Sequence, residues 1–233
     1  PALARWMDYL ENDLLYWRRA ADETGASVVT NARVVSMVAV ARLEVHLEDW
    51  YHALIDPCHW PSQRWRLFDS VPWLLRVLAK MNVKATFYTL GWLADEAPQC
   101  LTWIVQGGHA LGSHGYHHRH GEFQGDGSDF RARCAIFRAS RQWGWEMSTN
   151  QLPYRAPFWD TMARPGYGGG VFFRMLPYGV VKREVLRTGT LYLHPHDLDI
   201  NHPRTSWVPY RRYIGLATSR LKLIRLLREV PFV

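Results

Sequence analysis

The chain has 233 residues, of which 48% are hydrophobic and 14% aromatic, enough to form the core of one sizeable domain. Its formal net charge of +7 comes almost entirely from residues 201–233, which hold seven Lys/Arg against the single acid Glu229. This basic segment favours an anionic partner such as an acidic glycan, a phosphate group or a membrane face. The alternative is a solvated basic helix face.

Several classes of protein are excluded at this stage. The three cysteines are widely spaced and odd in number, which excludes a disulfide framework and a zinc ribbon. We find no nucleic-acid-binding motif and expect no nucleic-acid partner. The apolar run at 28–41 is shorter than the roughly 20 residues of a membrane span, and residues 1–20 contain no signal-peptide core. We therefore expect a soluble protein without a transmembrane segment. The cysteines do not decide between cytoplasm and cell envelope, and the sequence does not indicate an oligomeric state.

Along the chain, a predicted helix at 4–21 and a short apolar strand carry no recognisable chemistry. We treat residues 1–40 as an N-terminal extension and residues 41–233 as the functional domain. In that domain, runs of β-forming residues alternate with stretches that begin at capping residues or proline and stop at glycine. Strands are predicted at 43–47, 83–90, 109–113, 152–156 and 190–193, and helices at 69–81, 98–107, 128–143 and from 218 onward.

Alternating strands and helices predict an α/β fold with a parallel sheet or barrel. In such folds, functional groups collect at the carboxyl ends of the strands. Four predicted strands end in groups of this kind, namely Glu48 with Asp49, His114, Arg155 and His194. We expect these groups to lie at one edge of the sheet.

The segment GSHGYHH at 112–118 places His114 and His118 four residues apart. Two imidazoles at this spacing can hold one metal ion, and neutral imidazole suits zinc and its first-row neighbours. The chain contains eleven histidines, so the alternative is a polar loop that is rich in histidine by chance. Each other group also has a structural alternative: a strand-end cap for Glu48 and Asp49, a surface ion pair for Arg155, and a satisfied core histidine for His194.

Taken together, these motifs resemble polysaccharide deacetylases with the NodB homology domain, carbohydrate esterase family 4, and more narrowly the subgroup associated with exopolysaccharide loci. The resemblance runs in order from about residue 43 to 233. It rests on LEDWYH (47–52), KATFYTLGW (84–92), GSHGYHH (112–118), YRAPF (154–158), GGGVFFRMLPY (168–178), LYLHP (191–195) and PYRRY (209–213). It implies a distorted, shortened (β/α) barrel and a bacterial enzyme that removes N-acetyl groups from a polysaccharide or oligosaccharide.

The resemblance also implies a site. Asp49, His114 and His118 would be the ligands of a divalent metal, which we expect to be zinc. Glu48 would take a proton from the attacking water, Arg155 would orient a carboxylate, and His194 would protonate the leaving amine. Glu48 rather than Asp49 remains an alternative as the acidic ligand.

Two departures from the family pattern bear on activity. The family usually reads Asp-x-Glu-Asp before the aromatic pair, with the first Asp a candidate base, and His46 occupies that position here. Only nine residues separate Phe158 from Gly168, where relatives place a further helix and strand. Two alternative functions therefore stay open: a non-catalytic relative that binds glycan through an aromatic groove, and a metal hydrolase of another amide or ester.

Overall fold

The computed structural model describes residues 40–118, 128–145 and 169–233. Its centre is a four-stranded parallel sheet in the order β3-β2-β1-β4, where the strands are β1 Arg42–Leu47, β2 Thr86–Thr89, β3 Ala110–Ser113 and β4 Thr190–Leu193. The predicted α/β class is therefore confirmed. The barrel form of the sheet stays a prediction.

Helices connect and cover these strands. They are α1 Leu67–Met81, α2 Gly91–Glu96, α3 Pro98–Gln106, α4 Ser128–Trp143, α5 Gly170–Met175, α6 Tyr178–Thr188 and α7 Leu216–Glu229. Three short 3-10 helices lie at Pro57–Ser62, Pro195–Leu198 and Tyr210–Arg212. No described helix is long and apolar enough to cross a membrane.

Four of the five predicted strands form, and β2 and β3 are shorter than predicted. The predicted strand at 152–156 and the predicted helix at 4–21 lie outside the described residues. Helices α2, α5 and α6 were not predicted. Helix α2 begins at Gly91, a residue type that usually ends elements, and α6 contains β-branched valines that favour strands. In α6 the buried residues are Val181 and Val185, four apart, so packing of this helical face outweighs the local preference.

Strand β1 lies at the centre of the sheet and supplies much of the core. Leu43, Val45 and Leu47 are each at most 1% exposed. Full burial of one such aliphatic side chain contributes about 1.5–3 kcal/mol to stability. Because alternate residues point to opposite faces, His46 and Glu48 lie on the other side of the chain from these three residues.

The register of the strands decides which residues meet beyond the sheet edge. Leu47 pairs with Thr89, and Thr89 pairs with Ser113. Glu48 and His114 each come directly after these paired residues, so they lie at the same height beyond the sheet edge. On the other side of β1, Val45 pairs with Leu193, which places His194 level with His46. The expectation that these groups share one edge of the sheet is confirmed for the described residues.

Candidate metal centre

The centre of the site is the carboxylate of Glu48 between two imidazoles. Its Oε1 lies 2.6 Å from Nε2 of His114 and 3.3 Å from Nε2 of His118. Glu48 and the His114 side chain are at most 1% exposed, whereas the His118 side chain is 22% exposed. The cluster is therefore buried on the sheet side and open to solvent at His118.

His118 reaches this cluster through an unusual backbone conformation. Its φ is +58°, in the left-handed region, which costs a residue with a side chain roughly 1–2 kcal/mol. The loop after β3 turns at Gly115, also at positive φ, so that the chain doubles back within four residues of His114. The i, i+4 pair of histidines thus converges from a tight loop.

The charge balance of Glu48 favours its ionised form. Burial alone would raise the pKa of this carboxyl group, but His118 and His114 outweigh burial and hold the pKa well below its usual range. A buried carboxylate facing two imidazole nitrogens is a suitable donor set for a divalent cation. One donor atom from each of the three residues lies within 4.8 Å of the others.

Asp49 faces away from this cluster. One of its oxygens accepts a hydrogen bond from the Trp50 N–H (2.8 Å), and the other accepts from the N–H groups of Arg66 (2.7 Å) and Leu67 (3.1 Å). Burial raises the pKa of Asp49 to about 6, against the lowering effect of these hydrogen bonds. The carboxylate therefore caps the start of α1, a different role from the strand-end cap named as its structural alternative, and it does not join the group formed by Glu48 and the two histidines.

Arg66, whose N–H group is capped by Asp49, also forms an ion pair with Asp199. The guanidinium of Arg66 binds both carboxylate oxygens of Asp199 at 2.8 and 2.9 Å, and it contacts Asp69 at 2.6 Å. Arg66 and Asp199 are both buried. The pair ties the start of α1 to the segment that follows His194, so two sides of the site are held together.

His194 is held in place by a second buried carboxylate. Its Nδ1 lies 3.0 Å from Oδ2 of Asp197, which also accepts the backbone N–H groups of His194 and Gly170. Burial lowers the pKa of His194, but the hydrogen bond and charge of Asp197 outweigh burial and raise the pKa above its ordinary value. Asp197 itself is fully buried. Sequence reasoning did not identify Asp197, although its position three residues after His194 was a usable signal.

His46 occupies the space between the two halves of the site. Its ring centroid is 4.6 Å from that of His114 and 5.2 Å from that of His194, and it stacks on Tyr192 at 5.3 Å. Donor atoms of His46, Glu48 and His194 also lie within 4.8 Å of one another. His46, which stands where the resembled family usually has an Asp, therefore faces the centre of the site.

The aromatic residues near the motifs form core rather than an open groove. Trp50, Tyr51, Trp92 and Tyr116 are each at most 8% exposed. The exposed aromatic residues among those described include Trp207, which is 47% exposed and packs against Trp50, and Tyr210, which is 82% exposed. The predicted site residue Arg155 lies outside the described residues, so its predicted orienting role stays a prediction.

The basic residues of α7 mostly contact the protein itself. Nζ of Lys222 donates to the carbonyl groups of Phe173, Arg174 and Leu176 at 2.7–2.9 Å, at the end of α5. Arg220 lies over the ring of Trp73 and donates to a backbone carbonyl. These contacts favour a structural role for the basic helix over recognition of an anionic polymer.

Two family models match parts of this chain. Residues 67–133 match the family model "Polysaccharide deacetylase", and residues 145–233 match a domain of unknown function, DUF3473. His114 and His118 lie in the first match and His194 in the second. The resemblance to polysaccharide deacetylases is therefore confirmed for residues 67–133. The resemblance to the exopolysaccharide-locus subgroup stays a prediction. No match is found among curated proteins.

Solved structures include distant likenesses to this chain. A putative polysaccharide deacetylase from Mycobacterium smegmatis is 17% identical, with 88% of this chain and 91% of that chain covered and a TM-score of 0.48. A family 4 carbohydrate esterase from Streptomyces lividans, in complex with acetate, is 16% identical (81% and 88% covered, TM-score 0.45). A CE4 family pseudoenzyme from Bacillus anthracis is also 16% identical (83% and 63% covered, TM-score 0.45). Likenesses of this size do not assign an activity.

Proposed function

We propose that this chain is a metal-dependent deacetylase that removes N-acetyl groups from amino sugars of a bacterial polysaccharide. The observation that carries the proposal is the buried carboxylate of Glu48 within 2.6 and 3.3 Å of two imidazole nitrogens, at the sheet edge where His194 also lies. The match to the polysaccharide deacetylase model over residues 67–133 supports the same reaction class.

The residues that would hold the cation are Glu48, His114 and His118, and zinc is the cation we propose. The donor set fits because one oxygen of Glu48 faces both imidazoles in a buried setting. A bound divalent cation would polarise the acyl carbonyl and lower the pKa of a water molecule. Asp49, the ligand favoured from the sequence, has its oxygens engaged with backbone N–H groups, so we assign it the role of helix cap.

Glu48 cannot serve both as ligand and as free base, so the base role predicted for it passes to another group. His46 is the group we propose, because it lies on the same side of β1 as Glu48 and its ring faces the centre of the site. A neutral imidazole can accept a proton from a water molecule. The orienting role predicted for Arg155 remains part of the proposal as made from the sequence.

His194 would deliver the proton to the leaving nitrogen. Asp197 binds Nδ1, which fixes the ring and leaves Nε2 as the nitrogen available for proton transfer. The raised pKa of His194 increases its protonated fraction at neutral pH. General acid catalysis of this kind contributes about 10²–10⁴-fold to a rate.

The experiment is acetate release from N-acetylglucosamine oligomers, measured together with metal content by elemental analysis. We expect the wild type to release acetate with one tightly bound zinc, and the His114→Ala/His118→Ala double variant to lose both. His59→Ala is the matched control, since His59 is exposed and outside the site. Unchanged metal content in the double variant would contradict the site.

A second pair of variants addresses the proton-transfer groups. His194→Ala should lose activity by about 10²-fold or more while it retains the metal. His46→Asp should raise the rate if that position supplies the base. If neither the metal-loaded wild type nor metal-loaded His46→Asp releases acetate, the result would favour the alternative of a glycan-binding relative, which the histidine at this position motivates.

A further inference from the structure

His46 and His194, which lie on β1 and directly after β4, are not ligands of the proposed cation and indicate room for a second one. Besides Glu48 with His114 and His118, a second set of donor atoms lies within 4.8 Å of one another, on His46, Glu48 and His194. The two sets share only Glu48. Two ligands of one cation at bonds of about 2.0–2.2 Å are at most roughly 4.4 Å apart, so each set needs little movement to close on an ion.

We propose that His46, Glu48 and His194 form a second, weaker divalent-cation site that shares the Glu48 carboxylate with the first. This inference rests on the metal site of the proposed function and adds a site to it. The Glu48 carboxylate contacts His114 and His118, and one of its oxygens also lies within 4.8 Å of donor atoms on His46 and His194, so the same carboxylate is within reach of both sets. Carboxylate-bridged pairs of this kind are about 3.5–4 Å apart.

The two histidines of this second set are positioned by neighbouring strands of the sheet. His46 belongs to β1, and His194 follows β4 directly at the level set by the pairing of Val45 with Leu193. The two rings are 5.2 Å apart, with an interplanar angle of 88°. His46 and Glu48 are at most 7% exposed, and the His194 side chain is 17% exposed, so a path from solvent exists on the His194 side.

The environment of His194 is that of a metal ligand as well as that of an acid. Metal-binding histidines commonly donate their second ring N–H to a carboxylate, which fixes the tautomer and makes the free nitrogen a better ligand. Asp197 provides this contact at 3.0 Å and is fully buried. The bond to Nδ1 leaves Nε2 as the nitrogen that can coordinate a cation.

Charge explains why the second site should be the weaker one. Both cations would share one carboxylate, and the guanidinium of Arg212 lies nearby, 3.3 Å from Nε2 of His196. The carboxylate of Asp197 only partly offsets this positive charge. Occupation of the second site would also take the lone pairs of His46 and His194, the two groups that transfer protons in the proposed reaction. Excess metal should therefore inhibit the enzyme.

The test is equilibrium dialysis of the metal-free full chain against increasing zinc concentrations, with bound metal measured by elemental analysis. We expect one tight equivalent and a second that binds at higher concentration. Both His46→Ala and His194→Ala should keep the first equivalent. In each, affinity for the second should fall by more than the roughly 10–100-fold that loss of an outer-shell partner costs. The His59→Ala control should keep both, and Glu48→Gln should weaken both.

Each contrary result has a separate meaning. A wild type that saturates at one equivalent, with His46→Ala binding identically, would overturn the second site and leave the first intact. A second equivalent that survives in both His46→Ala and His194→Ala would place that cation elsewhere and would also overturn the inference. Absence of any bound zinc in the wild type would overturn the proposed function itself. Circular dichroism of each variant verifies that it is folded.

Discussion

Replacement of Asp49 tests whether this carboxylate caps α1 or binds the metal. The oxygens of Asp49 accept hydrogen bonds from three backbone N–H groups. Two of these groups, those of Arg66 and Leu67, lie at the start of α1. Arg66, the residue before the helix, provides no side-chain cap of its own, so Asp49 supplies that cap from seventeen residues upstream. Loss of a helix cap costs about 0.5–2 kcal/mol, and a third buried donor left without an acceptor adds about 1 kcal/mol.

We therefore expect Asp49→Ala to lower the free energy of unfolding by about 1.5–3 kcal/mol, with Asp49→Asn losing roughly half as much because one oxygen remains. For a domain of this size the melting temperature of Asp49→Ala should fall by roughly 5–10 °C. The assay is thermal and urea unfolding of the metal-free protein at pH 8, with zinc content measured in parallel. Asp49→Asn that binds no zinc but unfolds like the wild type would refute the reasoning and restore Asp49 as the ligand.

Two further predictions concern the C-terminal helix. Hydrogen bonds from Arg225, Lys182 and Tyr178 lower the pKa of Glu229 to about 2. A carboxylate with a depressed folded pKa stabilises the fold above its unfolded pKa, near 4.5, and this contribution is lost as the pH falls toward 2. Glu229→Gln should therefore be less stable than the wild type at pH 7, and the difference in urea midpoint should shrink below pH 4.5; a difference that does not change with pH would contradict this role. Lys222→Met should lose about 1–2 kcal/mol of stability because carbonyl groups at the end of α5 lose their donor. Arg228→Met on the exposed face of the helix is the control. Equal effects of the two variants on the melting temperature would argue against a stabilising role for the hydrogen bonds from Lys222 to the end of α5.

Much of the fold could be predicted from the sequence because its signals are local. The alternation of β-forming runs with capped helical stretches indicated a parallel sheet, and the strand ends indicated the edge where Glu48, His114 and His194 meet. Helices α2 and α6 were missed because the residues at Gly91 and in the valine-rich α6 disfavour helix locally. Their helical conformation depends on packing against other elements.

The site was predictable in its residue types and unpredictable in its division of roles. The order of residues along the chain was enough to predict that Glu48, Asp49, two spaced histidines and His194 would lie at one edge of the sheet, since each comes after a strand. The folded packing was needed to show that Glu48 faces the histidines while Asp49 caps α1, and that Asp197 holds His194. Adjacent residues after a strand point in opposite directions, and which direction leads to the site depends on what packs there. That packing involves partners 17 to 66 residues away along the chain, which no local pattern encodes.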